Sequence, residues 1–216
     1  MSEKIVRIII KAPLQSWGLD AVSYSYRGTE DKPSFSGVLG MVCAALGISF
    51  RNEPEKVKQL RDSIKMDFFE FHKGKRLEDF QGAGGGVDRQ SEYGKKCIPR
   101  DANSGAGKIY NKEYIQDAYF EALLYTDSLT ADTIAESLKS PRWFLFAGRK
   151  SCMLSYPPFG GVFDGFSEVE RQWETDNLKP YKAYRQSDSG FPVKDYPACL
   201  GDNRTVVRLM EVSDWP

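Results

Sequence analysis

The sequence predicts an α+β protein whose strands and helices follow the order β-α-β-β-α-β. Three observations predict it. Four β-branched or alternating runs, Ile5–Ile10, Ile64–Phe71, Ala118–Tyr125 and Thr205–Val212, read as strands. Helical signals fall between the first and second strands, at Gly37–Leu46, and between the third and fourth, at Ala131–Lys139. The second and third strands are separated by a basic, glycine-rich stretch, about 74–112, too poor in apolar residues for a core of its own. The order is that of a ferredoxin-like (RRM-like) core with an inserted β-hairpin. Residues 1–216 are expected to form one domain, with an irregular segment at about 157–204 that is rich in Pro, Gly and Asp.

The first helix organises the rest. From Gly37 to Leu46 it carries no charge, so it must be covered nearly all round. Ser36 is read as its N-cap, with Gly47 and apolar Ile48 as its stop. Gly37, Gly40 and Ala44 form a small-residue stripe at helical spacing. No acid stands in the first turn, while Lys32, Ser34 and Ser36 gather just before the positive helix end. That combination suits a bound phosphate, and it equally suits a buried core helix with an ordinary cap.

The remaining elements follow in order. Residues 53–63 read as a short charged surface helix, and Thr130 as the cap of a helix with Ile134, Ala135 and Leu138 facing inward. Within the inserted stretch, Gly82–Gly86 and Asp101–Gly107 break regular structure. Between them stand Arg89, Tyr93, Lys95, Lys96 and Arg100, the content of an extended basic arm.

Composition excludes several classes. The chain has 30 basic and 30 acidic residues and 41% hydrophobic content, which fits a globular protein and not a disordered one. Charge is nevertheless uneven: 73–112 is basic, which suits nucleic acid, and 113–176 is acidic, which suits a basic protein partner. Cysteines at 43, 97, 152 and 199 lack metal-ligand spacing, so no metal or cofactor is expected. Charges at 3, 4, 7 and 11 argue against a signal peptide or a membrane span, and a cytoplasmic location is expected.

Two further sets bear on chemistry. Gly148-Arg149-Lys150-Ser151 offers a close backbone approach and donors for phosphate oxygens, without the upstream glycine of a Walker loop. Trp17, Tyr24, Tyr26, Trp143 and Phe144, interleaved with Gln15, Arg27, Arg149 and Lys150, suit stacking on unpaired bases. The single histidine, His72, beside Lys73 and Lys75, leaves open metal-free RNA cleavage as an alternative.

Three blocks carry a family resemblance. Pro13-Leu-Gln-Ser-Trp-Gly18, Pro33–Ile48 and Pro141–Cys152, with Lys112–Ala118 fitting between them, resemble the CasD family, the crRNA 5′-handle-binding subunits of type I-E CRISPR Cascade complexes. The likeness covers about 5–157 and is poor beyond. It implies a ferredoxin-like body that grips the 5′ handle of crRNA and a thumb hairpin wedged at the handle–spacer junction. It implies packing against CasC backbone subunits and the large CasA subunit, and indirect contact with target DNA. Members leave pre-crRNA cutting to a separate enzyme, whereas related subfamilies cut RNA themselves. The expected RNA contacts are Gln15, Trp17, Arg27, Lys32, Ser34, Ser36, Gly148, Arg149, Lys150 and Ser151 in the body, with Arg89, Lys95, Lys96 and Arg100 on the thumb. A purely protein-bridging subunit is the third reading.

Overall fold

The computed structural model describes residues 3–18, 25–83, 108–195 and 206–215. In chain order the elements are β1 (Glu3–Lys11), β2 (Leu14–Gln15), β3 (Trp17–Gly18), β4 (Tyr26–Arg27) and β5 (Thr29–Glu30). Then come α1 (Phe35–Leu46), α2 (Pro54–Asp62), β6 (Lys65–His72), β7 (Lys75–Ala83), β8 (Lys108–Gln116) and β9 (Tyr119–Asp127). The last five are α3 (Ser128–Lys139), β10 (Phe159–Phe163), α4 (Phe166–Thr175), β11 (Lys182–Asp195) and β12 (Val206–Asp214).

The main sheet runs β10-β1-β9-β6-β11-β12, each neighbouring pair antiparallel. Alternation along β1 supplies both faces: Val6, Ile8 and Ile10 point one way, Ile5 and Arg7 the other. The first set forms a large core with α1, α2 and α3 through Val38, Val42, Val57, Leu60, Ile134 and Leu138. On the opposite face Ile5, Phe69, Leu123 and Ala183 pack under Val169 and Trp173 of α4. Phe166, Trp173 and Trp215 meet there edge to face with ring centroids 5.8–6.0 Å apart.

This corrects the expected tail. The segment 157–204 contains β10, α4 and all of β11, and the strand beside β1 is β10. The terminal strand β12 lies at the far edge of the sheet. The signal was weak because β10 is glycine-rich and short, while α4 buries only Val169 and Trp173 along its length. Helices therefore cover both faces of the sheet.

Beneath α4 lies a buried ionic network. Arg7 donates from Nε and Nη2 to the two oxygens of Glu121, at 2.7 Å each, and from Nη1 to Asp176 at 3.0 Å. The same carboxylate accepts from the Trp173 indole and the Tyr119 hydroxyl. Both Arg7 and Glu121 are almost fully buried, so each charge depends on the other.

A second buried acid gives a pH-dependent prediction. Asp67 on β6 accepts from the Gln186 amide at 2.9 Å, and burial pushes its carboxyl above the usual carboxylate range despite the bonds from Gln186 and Tyr125. The folded state thus holds this proton more tightly than the unfolded state does. Its contribution to stability declines as pH rises from the unfolded value, about 4, toward the raised folded one. Asp67→Asn keeps an acceptor for Gln186. Its stability relative to the parent is expected to rise between pH 4 and 7, measured by urea unfolding. A pH-independent difference would contradict the assignment.

A second, smaller sheet is built on β8. One edge of β8 pairs with β7 from Lys75↔Gln116 to Ala83↔Lys108, and the other takes β2 and β4 in turn. The β7/β8 arm thus occupies the inserted stretch. Arg89, Lys95, Lys96 and Arg100 lie outside the described residues. Among the described residues no helix is long and apolar enough to cross a membrane.

Candidate nucleic-acid interface

The N-terminus of α1 departs from the sequence reading by two residues. Ser34, not Ser36, is the cap: its backbone is extended (φ −89°, ψ 150°) and its hydroxyl accepts from the Gly37 amide at 3.1 Å. Ser36 lies inside the first turn. The absence of an acid in that turn holds, as does the stop at Gly47, which adopts φ 74°. The Gly47 and Ile48 amides close the helix on Ala44 and Cys43. Buried Cys43 has its thiol pushed up to about 12 by desolvation.

The 145–153 loop packs against the residues just after β1. Ser16 donates its amide to the Ala147 carbonyl at 3.0 Å, and Gly148 sits directly over the Ser16 carbonyl. A Cβ on Gly148 would lie 1.7 Å from that oxygen, and φ is +91°, so both space and backbone require glycine. The turn is held by the Ala147 amide donating to the Cys152 carbonyl and the Cys152 amide donating to the Arg149 carbonyl, at 2.8 Å each.

Several expected contact residues are structural instead. Gln15 is fully buried and donates to the Ala118 carbonyl at 2.7 Å. Trp17 is 1% exposed, gives its indole N–H to Gln15, and has its ring edge against Gly37. Neither side chain presents surface to a nucleotide, which corrects both assignments. Arg149 is also committed: its guanidinium donates to the carbonyls of Glu113, Arg27 and Gly28 at 2.8–3.2 Å and stacks on Tyr114. It staples the 148–151 loop to β4 and β8. One sequence cannot distinguish such an arginine from a phosphate ligand, because its partners are backbone oxygens more than 30 residues away.

Lys32 rests its ammonium over the rings of Phe68 and Tyr184, at 5.6 and 5.5 Å. Arg27, Lys150 and Ser151 are exposed. Around β4, Glu113 accepts from the Tyr26 hydroxyl, the Thr29 amide and Arg76. Burial works to raise its carboxyl, but those donors outweigh it and hold the group below the usual carboxylate range. His72 is exposed, and its Nδ1 lies 2.8 Å from the Asp117 carbonyl.

The two blocks that sequence reading singled out do meet. Ser36, Gly37, Gly40, Met41 and Ala44 of α1 face Trp143, Phe144, Phe146, Gly148 and Lys150 across a groove of about 600 Å³. Trp143 and Arg142 are hung on the end of α1 by amide bonds to the Ala44 and Ala45 carbonyls. Phe144 is 79% exposed and Trp143 45%. Sequence reading missed Arg208 of β12, whose guanidinium lies 3.5 Å from the ring of Phe35 at the start of α1. Nothing local in the sequence signals a pairing across more than 170 residues.

The fold and groove define a class: an α+β body with helices on both sheet faces, a two-stranded arm, and a lysine-edged groove at a helix N-terminus. A family model described as CRISPR-associated protein (Cas_Cas5) matches residues 5–208, and the chain belongs to that family. It is 29% identical over 157 residues to the CRISPR system Cascade subunit CasD of Escherichia coli (strain K12), covering 71% of this chain and 68% of that one. Two solved structures share the fold at 22% identity. One is described as a CRISPR RNA-guided surveillance complex, with TM-score 0.72 and 98% and 90% of the two chains covered. The other, described as a crystal structure of a Cas protein, has TM-score 0.67 with 98% and 95% covered.

Proposed function

We propose that this chain is a non-catalytic, cytoplasmic RNA-binding subunit of a CRISPR Cascade surveillance complex, holding the 5′ handle of crRNA. The strand order β10-β1-β9-β6, with α1 and α3 on one face, supports reading the core as ferredoxin-like. The observation that carries the functional reading is the groove, where an acid-free helix N-terminus faces the Gly148–Ser151 loop. Ser36, the first-turn amides and Lys150 hold backbone phosphate, with exposed Arg27 and Ser151 nearby. The β7/β8 arm is the base of the thumb at the handle–spacer junction, and Arg89, Lys95, Lys96 and Arg100, the RNA contacts proposed for it, belong to the segment between β7 and β8 outside the described residues. CasC and CasA are the protein partners, and target DNA is met through the complex. His72 gives its Nδ1–H to the Asp117 carbonyl, where φ is +56°, and pins the turn before β9; on this reading that anchoring is its role.

Lys150→Ala is expected to weaken binding of a repeat-derived handle RNA. It should also reduce the slope of log K against log salt by about 0.7, one single-strand phosphate contact. Thermal stability should be unchanged, whereas Arg149→Ala should lower stability. Equal salt slopes for Lys150→Ala and the parent would remove Lys150 from the interface. His72-dependent cleavage of repeat RNA in EDTA would establish the endoribonuclease alternative. Absence of RNA from purified complexes would favour a protein bridge.

A further inference from the structure

The groove between α1 and the 143–150 segment is richer than a phosphate seat needs. The loop carrying Lys150 is seated through Gly148 on Ser16, next to Trp17 whose ring meets Gly37, whereas Trp143 is hung on Ala44 at the other end. Eight residues of helix separate those ends, about 12 Å. None of the described lining residues is acidic, and Lys150 is the charged one. A volume of about 600 Å³ falls in the range that holds a single small-molecule-sized group. Large aromatics are normally kept from water, yet Phe144 is more exposed than any other described phenylalanine among the exposed apolar residues.

Gly40 adds an independent constraint. Glycine in a helix interior is unfavourable relative to alanine. Packing does not require it here: a Cβ on Gly40 would meet only the edge of Phe50, at 3.8 Å. What the missing side chain leaves is a flat floor opposite the aromatic wall. A flat floor, an aromatic wall and a cation at one end match a planar, uncharged ring joined to a phosphate.

We propose that this groove takes one unpaired RNA base, stacked on Phe144 and Trp143 over Gly40, with the adjoining phosphate at Lys150. The inference rests on the RNA-binding reading above and names the part of the RNA that the groove holds. Apart from Ser36 and Lys150 the lining side chains are apolar, so recognition is by shape and stacking, with tolerance for base identity. Of the five aromatics singled out in the sequence, Trp17 is buried and Tyr26 is bonded to Glu113, which leaves Trp143 and Phe144 among the described residues.

The test uses the full chain and repeat-derived handle RNAs carrying one abasic site at each position in turn. One position is expected to lose about 5- to 150-fold in affinity when its base is removed, and to tolerate exchange of one base for another. In Phe144→Ala, the loss at that position should vanish while losses elsewhere persist. Gly40→Leu, which fills the groove from its floor, should produce the same selective effect, with circular dichroism reporting the fold. If the parent binds RNA but no abasic position couples to Phe144 or to Gly40, the stacking inference is overturned and RNA binding stands. If the parent binds no handle RNA, the RNA-binding reading fails and the inference fails with it.

Discussion

Glu121→Ala is expected to cost about 3–5 kcal/mol of folding stability, because it leaves the Arg7 guanidinium buried without its bidentate partner. Arg7 and Glu121 are 3% and 0% exposed, so water cannot replace the lost carboxylate. Asp176 would remain at 3.0 Å, but it is 35% exposed and compensates weakly. The Trp173 indole and Tyr119 hydroxyl would lose their acceptor in the same step. Glu121→Gln, which retains oxygen for Trp173 but not the charge, should lose distinctly less. Urea unfolding of the three proteins measures this, and a loss below about 1 kcal/mol for Glu121→Ala would mean that the site rehydrates. The network matters for function because it fastens α4 across the sheet. With that face closed, stacking on an open sheet is unavailable, which is why the proposed RNA contacts fall at the groove and arm.

Gly148→Ala is expected to be the most damaging methyl group that can be added to the loop, at about 3 kcal/mol or more. The added carbon would overlap the Ser16 carbonyl at 1.7 Å, and φ of +91° is itself costly for alanine. The loop has to lift off Ser16, and Lys150 moves with it. RNA affinity should therefore fall although the lysine is intact. Gly18→Ala is the matched control: its Cβ meets nothing within 4 Å, so its effect should lie within about 0.5 kcal/mol. Urea unfolding and handle-RNA titration on both variants check the prediction. Equal stability of the two alanine variants would refute the account of Gly148.

The legible parts of the chain were those whose signal is local. Periodicity located the strands at Ile5, Ile64 and Ala118 and the helices at Gly37 and Pro54, with ends moved by one or two residues at the caps. Asp127, whose carboxylate accepts from the Thr130 amide at 3.1 Å, caps α3 one turn earlier than Thr130 would. The segment containing β10 and α4 was misread because its burial comes from a few residues, Val169 and Trp173, set against a distant sheet face. No window of sequence contains both halves of that contact.

The site divides the same way. Residue type and spacing alone reveal an uncharged helix with no acid in its first turn, a Gly-Arg-Lys-Ser loop and a Pro-Arg-Trp-Phe run. The sequence also carried the likeness that the Cas5 family match bears out. Which polar and aromatic groups are left over for a ligand depends on contacts between segments far apart in the chain. Gln15, Trp17 and Arg149 have the chemistry of RNA contacts, but backbone carbonyls and core atoms claim them first. Lys150 and Phe144 remain exposed because the fold brings them no such partners among the described residues. A side chain's composition fixes what it can bond, and the packing of distant segments fixes what is left for it to bond.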